Sequence, residues 1–253
     1  MGTSSSGKGR RNQSPLVPAY ADADPGKPIP PPEGQRFRGF RTEFGRAVAG
    51  AGEGSFRSAL GKYARDSTGG VDYGPRRFGP AYSAGGALAG LITELQAGGS
   101  GDNAAGVDLS GLVGQSVGEA AEAIAQALAP ANADQDLIRI AIQEAIAEVL
   151  PEIAIFDPAA LTADDIVSLL VEFFSRVLFQ EITSDAGDAW NKTDDPARAV
   201  EAENELMDII RATVDRHLSP ALSDGLGQLT RVQVERIERA AVEDIWREWE
   251  SYE

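Results

Sequence analysis

The sequence lacks the residues on which several common kinds of site depend. It contains no cysteine and one histidine in 253 residues. Disulfide frameworks and thiolate zinc sites are therefore excluded. A single imidazole also excludes histidine-based metal sites and most Ser-His or Cys-His arrangements within one chain. The composition predicts a chain that is not an enzyme and that has no metal site and no cofactor.

Long apolar runs are missing as well. No run approaches the ~18 residues of a membrane span, and the N-terminus lacks the apolar core of a signal peptide. These features predict a soluble, cytoplasmic protein without a membrane partner.

Charge is abundant but unevenly distributed along the chain. The formal net charge is −16. Residues 1–80 contain 13 Lys+Arg against 7 Asp+Glu, whereas residues 81–253 contain 10 against 32. The acidic part is expected to repel nucleic acid and anionic lipid.

The prolines indicate how the chain is divided. Seven of the 14 prolines lie in residues 1–35, which are also rich in serine and glycine. Such a segment buries too little apolar surface to offset its chain entropy. We predict a flexible tail over 1–35, a basic glycine- and aromatic-rich helical region over 36–98, and an acidic helical body over 108–253. The last two are expected to form one domain.

One apolar patch interrupts the predicted tail. An isolated patch of this kind is often a docking motif for a partner, but it can also be inert, and the residues leave both interpretations open. The patch consists of Leu16, Val17, Pro18 and Tyr20.

Helical periodicity dominates the chain after the tail, and no strand-like alternation is present. We predict an all-α fold of about seven or eight helices preceded by a disordered tail rich in Pro, Gly and Ser. The core is expected to centre on the apolar stripe that runs from Ile166 to Leu178. Small residues make the helix over 75–97 dependent on tertiary contacts.

Several helix ends are marked by capping residues. Thr162 and Thr230 stand where N-caps are expected, and Ser219-Pro220 predicts the end of a helix. In the last helix we predict that Val234, Ile237, Ala241 and Ile245 line the apolar face. Two tryptophans near the end of that helix, Trp246 and Trp249, are interpreted as exposed, either as a partner surface or as a cap on the core.

The basic region allows two interpretations. Its arginines alternate with aromatic residues, which is a pattern that can bind phosphates and stack on bases. Alternatively, the aromatics face the core and the arginines pair with the acidic body, which the charge distribution favours. The candidate contact residues for a partner or for nucleic acid are Arg36, Arg38, Arg41, Arg46, Arg76 and Arg77.

The N-terminus offers a reactive group of its own. Met1 precedes Gly2, and its removal would leave a glycine α-amine whose pKa of about 7.7–8.0 keeps part of it neutral. The following residues match G-x-x-x-x-G-K, but Gly9 occupies the position of the Ser or Thr that a phosphate loop requires. Residue types alone favour an ordinary flexible start over a modification site.

Four segments together resemble a known family. They are MGTSSSGKG at the N-terminus, SPLVPAYADADP, RFRGFRTEFGRAV, and ALGKYARDSTGG with the following Arg76-Arg77-Phe78-Gly79. In these segments the chain resembles the QatB family of bacterial Qat anti-phage defence systems. The acidic remainder agrees only in its helical character.

The resemblance implies partners and a role for the tail. Qat systems combine this subunit with an ATPase, a QueC-like enzyme of the deazaguanine pathway and a TatD-like nuclease. A QueC-like enzyme activates a deazaguanine carboxylate with ATP and joins it to nitrogen, which implies Gly2 as the acceptor of an N-terminal amide. Recognition would then fall on Thr3, Ser4, Ser5, Ser6 and Gly7, with docking through Leu16 to Tyr20. The alternative is an adaptor that binds nucleic acid through residues 36–80.

Overall fold

The computed structural model describes residues 14–31, 33–50, 55–101, 106–150, 155–223 and 229–253. Within these ranges the all-α prediction is confirmed, because they contain eight α-helices and only an isolated β-bridge between Ser116 and Ile155. The helices are α1 (Arg38–Val48), α2 (Ser55–Lys62), α3 (Gly79–Gln96), α4 (Val117–Leu128), α5 (Gln135–Val149), α6 (Ala163–Ala186), α7 (Pro196–Ser223) and α8 (Arg231–Glu250).

Capping boxes start three of these helices where the sequence places them. Ser116 and Glu119 bind each other's backbone N–H at the start of α4. Thr162 and Asp165 do the same before α6, and Thr230 pairs with Gln233 before α8. These contacts satisfy N–H groups that have no partner inside a helix.

The predicted stop at Ser219-Pro220 is wrong. Helix α7 continues through Pro220 and ends at Ser223. A proline removes only one backbone donor from a helix, and the helix extends just three residues beyond it. Three shorter helical turns flank these helices: Tyr63–Ser67 after α2, Pro75–Phe78 before α3, and Gly187–Asn191 after α6.

The chain divides into two compact units. The first comprises Met1–Gly79, Leu178–Thr213 and Val242–Glu253, and the second comprises Pro80–Val177 and Val214–Ala241. No helix in the described part of the chain is both long and apolar enough to cross a membrane.

An aromatic cluster forms the core of the first unit. Phe40, Phe44 and Tyr63 are fully buried, with ring centroids 5.5 and 4.9 Å apart from Phe40 to its two neighbours. The expectation that Trp246 and Trp249 are exposed is wrong, because neither has any exposed surface. Indole rings are large enough to gain more free energy from burial than from a surface position.

The position of Trp246 requires a glycine at residue 74. Its indole Nε1 donates a 2.9 Å hydrogen bond to Thr68 Oγ1. A Cβ at Gly74 would overlap the same Nε1 atom, so only a glycine fits at this point of the chain.

The second unit has an aliphatic and aromatic core. The predicted stripe of α6 is confirmed in this unit, since Ile166, Leu170, Phe173 and Phe174 are all buried. Phe174 stacks on Tyr82 of α3 with ring centroids 5.9 Å apart.

Two glycines of α3 make room for the side chains of two glutamates of α8. A Cβ at Gly85 would overlap Glu238 Oε1, and a Cβ at Gly86 would lie 2.6 Å from Glu235 Cγ. Tertiary contacts therefore support this glycine-rich helix, as predicted. Ile237 was expected on the buried face, but the fully buried residue at this point is Glu238.

Candidate functional site

The predicted modification residues Gly2, Thr3, Ser4, Ser5, Ser6 and Gly7 lie outside the described residues. The structure instead shows how the chain behind them is held. Residues 14–28, which we call the N-terminal anchor, run along the first unit and are fixed there by two arginine side chains.

Arg36 holds the start of the N-terminal anchor. Its guanidinium donates to the carbonyl oxygens of Ser14 and Pro15, and its Nε donates to the carbonyl of Ser67 at 2.8 Å. The side chain also lies over the ring of Phe37, with 4.8 Å from Cζ to the ring centroid. Burial, followed by the nearby charge of Arg77, lowers the pKa of Arg36.

Arg76 holds the rest of the N-terminal anchor through a bidentate pair with a carboxylate. Its Nε and Nη2 donate to the two oxygens of Asp22 at 3.0 and 2.8 Å. Nη2 also donates to the carbonyls of Asp24 and Lys27. The side chains of Asp22 and Arg76 are each only 5% exposed. The hydrogen bonds from Arg76 outweigh burial and lower the pKa of Asp22.

The structure corrects the extent of the predicted tail. The flexible segment was expected to reach residue 35, but residues 14–31 are described, and residues 14–24 include buried and half-buried positions. Leu16 and Val17 are buried, and Leu16 contacts the chain near Gly69. The prediction that Leu16 and Val17 dock on a partner is thus wrong, because both side chains are buried against their own chain. Pro18 is half-buried, Tyr20 is 49% exposed, and partner docking through them stays a prediction.

We expect the bidentate pair to control local opening of the N-terminal anchor. Asp22→Ala removes two charge-assisted hydrogen bonds, each worth about 1.5–3 kcal/mol. Amide hydrogen exchange measured by mass spectrometry should accelerate at least about tenfold over residues 21–27 and stay unchanged in α8. Lys27→Ala is the control, because it breaks only an exposed pair with Asp24. Equal exchange in the two variants would contradict the assignment.

The first unit also contains a buried ion cluster. We use this name for Tyr63, Arg77, Glu181 and Asp185. Arg77 Nη2 donates to Glu181 and, at 3.0 Å, to Asp185 Oδ2. Tyr63 donates its phenolic hydrogen to the same Oδ2 at 3.0 Å. Burial and the Asp185 carboxylate raise the pKa of Tyr63 well above its usual value, so the phenol stays protonated.

The cluster fixes the charge of Arg77. Burial opposes this charge, but the interactions with Tyr63, Asp185 and Glu181 outweigh it and raise the pKa of Arg77. Of the six arginines predicted to contact a partner or nucleic acid, the prediction is therefore wrong for Arg36, Arg76 and Arg77. They face inward and bind their own chain, because each finds a carbonyl or carboxylate partner there.

The remaining three arginines lie together at a basic cleft. This cleft has a volume of about 800 Å³ and lies between α1 and the turn Gly187–Asn191. Its charged or polar lining consists of Gln35, Arg38, Arg41, Thr42, Arg46, Asp188 and Lys192, and its small residues are Gly45, Ala49, Ala186 and Ala189.

Sequence reasoning missed the part of the basic cleft that follows α6. Asp188 and Lys192 lie more than 140 residues after α1, in a region predicted only as helical and acidic. One signal was present, because Gly45 interrupts the aromatic and basic pattern of α1. A Cβ at Gly45 would lie 2.9 Å from Lys192 Cγ.

The aromatic residues of α1 do not reach the basic cleft. Phe37, Phe40 and Phe44 are at most 2% exposed, and Phe44 packs on Trp190 with centroids 5.3 Å apart. The cleft can thus bind anionic groups but offers no aromatic face from these residues for stacking on bases. Over the residues that the structure describes, no group of three or more His, Cys, Asp or Glu forms a metal site.

Comparison with known proteins gives one family. No curated protein and no solved structure matches the chain significantly. The family model described as Qat anti-phage system associated protein QatB matches residues 69–248. The match includes Arg76, Arg77 and Lys192 but begins after α1, whereas the sequence resemblance rested mainly on the first 80 residues. Because it covers more than two thirds of the 253 residues, the chain belongs to the QatB family of Qat anti-phage defence systems.

Proposed function

We propose that this chain is a non-catalytic subunit whose N-terminus is a substrate for a QueC-like partner enzyme. Membership of the QatB family implies a role in Qat anti-phage defence. The proposal adds that, after removal of Met1, the α-amine of Gly2 accepts a deazaguanine acyl group.

The N-terminal anchor is the observation that carries this proposal. Arg36 and Arg76 fix the chain from Ser14 onward. Twelve residues of extended chain span at most about 40 Å, so Gly2 stays within that distance of Ser14. An attached substrate of limited reach has a high local concentration at an enzyme bound to the same subunit.

The chemistry of the step needs little from this chain beyond the amine. A neutral α-amine attacks the acyl carbon of the activated carboxylate, the C–N bond forms, and the activating nucleotide leaves. The amine loses a proton in the same process. Gly2 has no Cβ, which lets the amine enter a narrow active site. Partner recognition through Thr3, Ser4, Ser5, Ser6 and Gly7 belongs to the same proposal, as does binding of the ATPase and TatD-like subunits.

Intact mass spectrometry tests the modification. The chain co-expressed with its neighbouring genes should lack Met1 and carry the mass of a deazaguanine acyl group. Gly2→Pro should abolish the added mass because it removes the primary amine, whereas Gly2→Ala keeps a primary amine and should retain part of it. A chain that lacks Met1 and is otherwise unmodified beside an active QueC-like partner would contradict the proposal.

The nucleic-acid adaptor is less well supported. This interpretation rests on six arginines as contacts for nucleic acid. Three of them, Arg36, Arg76 and Arg77, are buried and bound within the chain. Of the six arginines, Arg38, Arg41 and Arg46 line the basic cleft, where an external anion can bind.

A further inference from the structure

Of the four cations that line the basic cleft, Arg46 pairs with Glu43, whereas Arg38, Arg41 and Lys192 have no carboxylate partner among the described residues. Arg41 donates from Nε to the Asp185 carbonyl at 2.8 Å, and its guanidinium lies 5.3 Å from the centroid of the Phe37 ring. Lys192 lies with its stem against Gly45. Among the described residues, no carboxylate forms a salt bridge with Arg38, Arg41 or Lys192. Fixed cations without anionic partners are suited to an external anion.

The shape of the basic cleft favours an extended chain. Its buried residues Gly45, Ala186 and Ala189 form a floor of small side chains, and the exposed cations stand at the rim. The lining part of α1 from Arg38 to Ala49 is about 16 Å long at 1.5 Å per residue. About five residues of extended peptide match this length.

The charges indicate the chemistry of the occupant. None of the lining residues is aromatic, which disfavours a nucleobase-stacking ligand. The chain's own N-terminal residues carry Lys8, Arg10 and Arg11, so they do not complement the rim. We infer that the basic cleft binds a short acidic segment with small side chains from a partner protein.

Arg76 shows how an arginine of this chain binds an acidic segment through one carboxylate and one carbonyl. Asp22-Ala23-Asp24 alternates acidic and small residues, and Arg76 binds both the Asp22 carboxylate and the Asp24 carbonyl. In an extended segment, alternate side chains point to opposite sides. Small side chains can then lie on the floor of the cleft while carboxylates reach Arg38 and Lys192. This inference does not depend on modification of Gly2.

Fluorescence anisotropy with the full chain tests the inference. The probe is a labelled peptide of alternating aspartate and alanine, at low salt. The double variant Arg38→Glu with Lys192→Glu should weaken binding at least about tenfold, because two charge-assisted contacts are lost. Asp188→Asn should strengthen binding, because it removes the acidic residue of the rim. Arg247→Glu is the control for charge and is compared with Arg38→Glu and Lys192→Glu as single variants, because each of the three reverses one charge. Arg247 is exposed and does not line the cleft.

Each other outcome overturns the inference. If the wild type does not bind the peptide, or if Arg247→Glu weakens binding as much as the single cleft variants, the cleft is not an acidic-peptide site. If single-stranded DNA binds more tightly than the peptide and the double variant abolishes that binding, the cleft is a nucleic-acid site. Asp188→Asn controls for misfolding of the double variant, because a misfolded chain would not bind the peptide more tightly.

Discussion

Replacing Asp185 with alanine is expected to lower the free energy of unfolding by about 3–5 kcal/mol, because it leaves the buried Arg77 without its fully buried charge partner. Asp185 is fully buried, and its Oδ2 accepts hydrogen bonds from both Tyr63 and Arg77. Asp185→Asn should cost less, since the amide oxygen can still accept one of these bonds. Urea unfolding of the purified chain measures both variants.

A double variant separates the charge from the packing. Arg77→Met with Asp185→Leu removes the ion pair and refills the space with apolar side chains. Buried ion pairs replaced in this way often cost little stability, so the double variant should be more stable than Asp185→Ala. Glu181→Gln is the control, because Glu181 is 19% exposed and its loss leaves Asp185 in place. Strictly additive losses for the two positions would show that the cluster is not coupled.

Arg36 and Arg38 show why the roles of the arginines could not be predicted from the sequence. Arg36 and Arg38 stand two residues apart, yet Arg36 is buried and Arg38 is exposed. Gln35, with a positive φ of 61°, precedes them, just before α1 begins at Arg38. The direction of the Arg36 side chain depends on Ser14 and Ser67, which are distant in the chain. Composition alone therefore indicated internal pairing but could not assign it.

Helices were predictable because their determinants are local. The capping box of Thr230 with Gln233 and the stripe from Ile166 to Leu178 need only neighbouring residues. The basic cleft was not predictable, because Lys192 meets α1 only in the folded chain. Trp246 shows the same limit, since its burial depends on the space left at Gly74.

The N-terminal anchor and the basic cleft are neighbours in the first unit. The N-terminal anchor begins at Ser14, and the basic cleft begins at Gln35, next to the residue that binds Ser14. A partner segment in the cleft would therefore lie close to Ser14, twelve residues after Gly2. Binding of an acidic segment and modification of Gly2 remain separable, because each has its own variants and readout.

Glu238 is the residue whose protonation should most affect the stability of the second unit. It is fully buried, and neither carboxylate oxygen has a hydrogen-bond partner among the described residues. Burial first, and then the charge of Glu235, raise its pKa well above the usual value of 4.5. The buried positions of α8 include Val234, Glu238, Ala241 and Ile245, and a charged residue in this pattern was not foreseen.

We expect Glu238→Gln to raise the free energy of unfolding at about pH 8 and to have little effect near pH 4.5. The folded chain keeps the proton to a higher pH than the unfolded chain. The wild type therefore loses stability as pH rises from the unfolded pKa through the folded pKa, by about 1.4 kcal/mol for each unit of pKa shift. The glutamine variant has no carboxyl proton to lose and should lack this part of the pH dependence.

Urea unfolding at several pH values measures the difference between wild type and Glu238→Gln. Glu203→Gln, an exposed glutamate of α7, is the matched control and should follow the wild-type profile. Glu238→Met keeps a similar length and removes both polar atoms, so it should be more stable than the glutamine variant at every pH. If wild type and Glu238→Gln show parallel profiles between about pH 5 and pH 8, Glu238 has the same protonation in the folded and the unfolded chain, and its pKa is not raised by folding. The close approach of α3 at Gly85 would then have to be explained by packing alone.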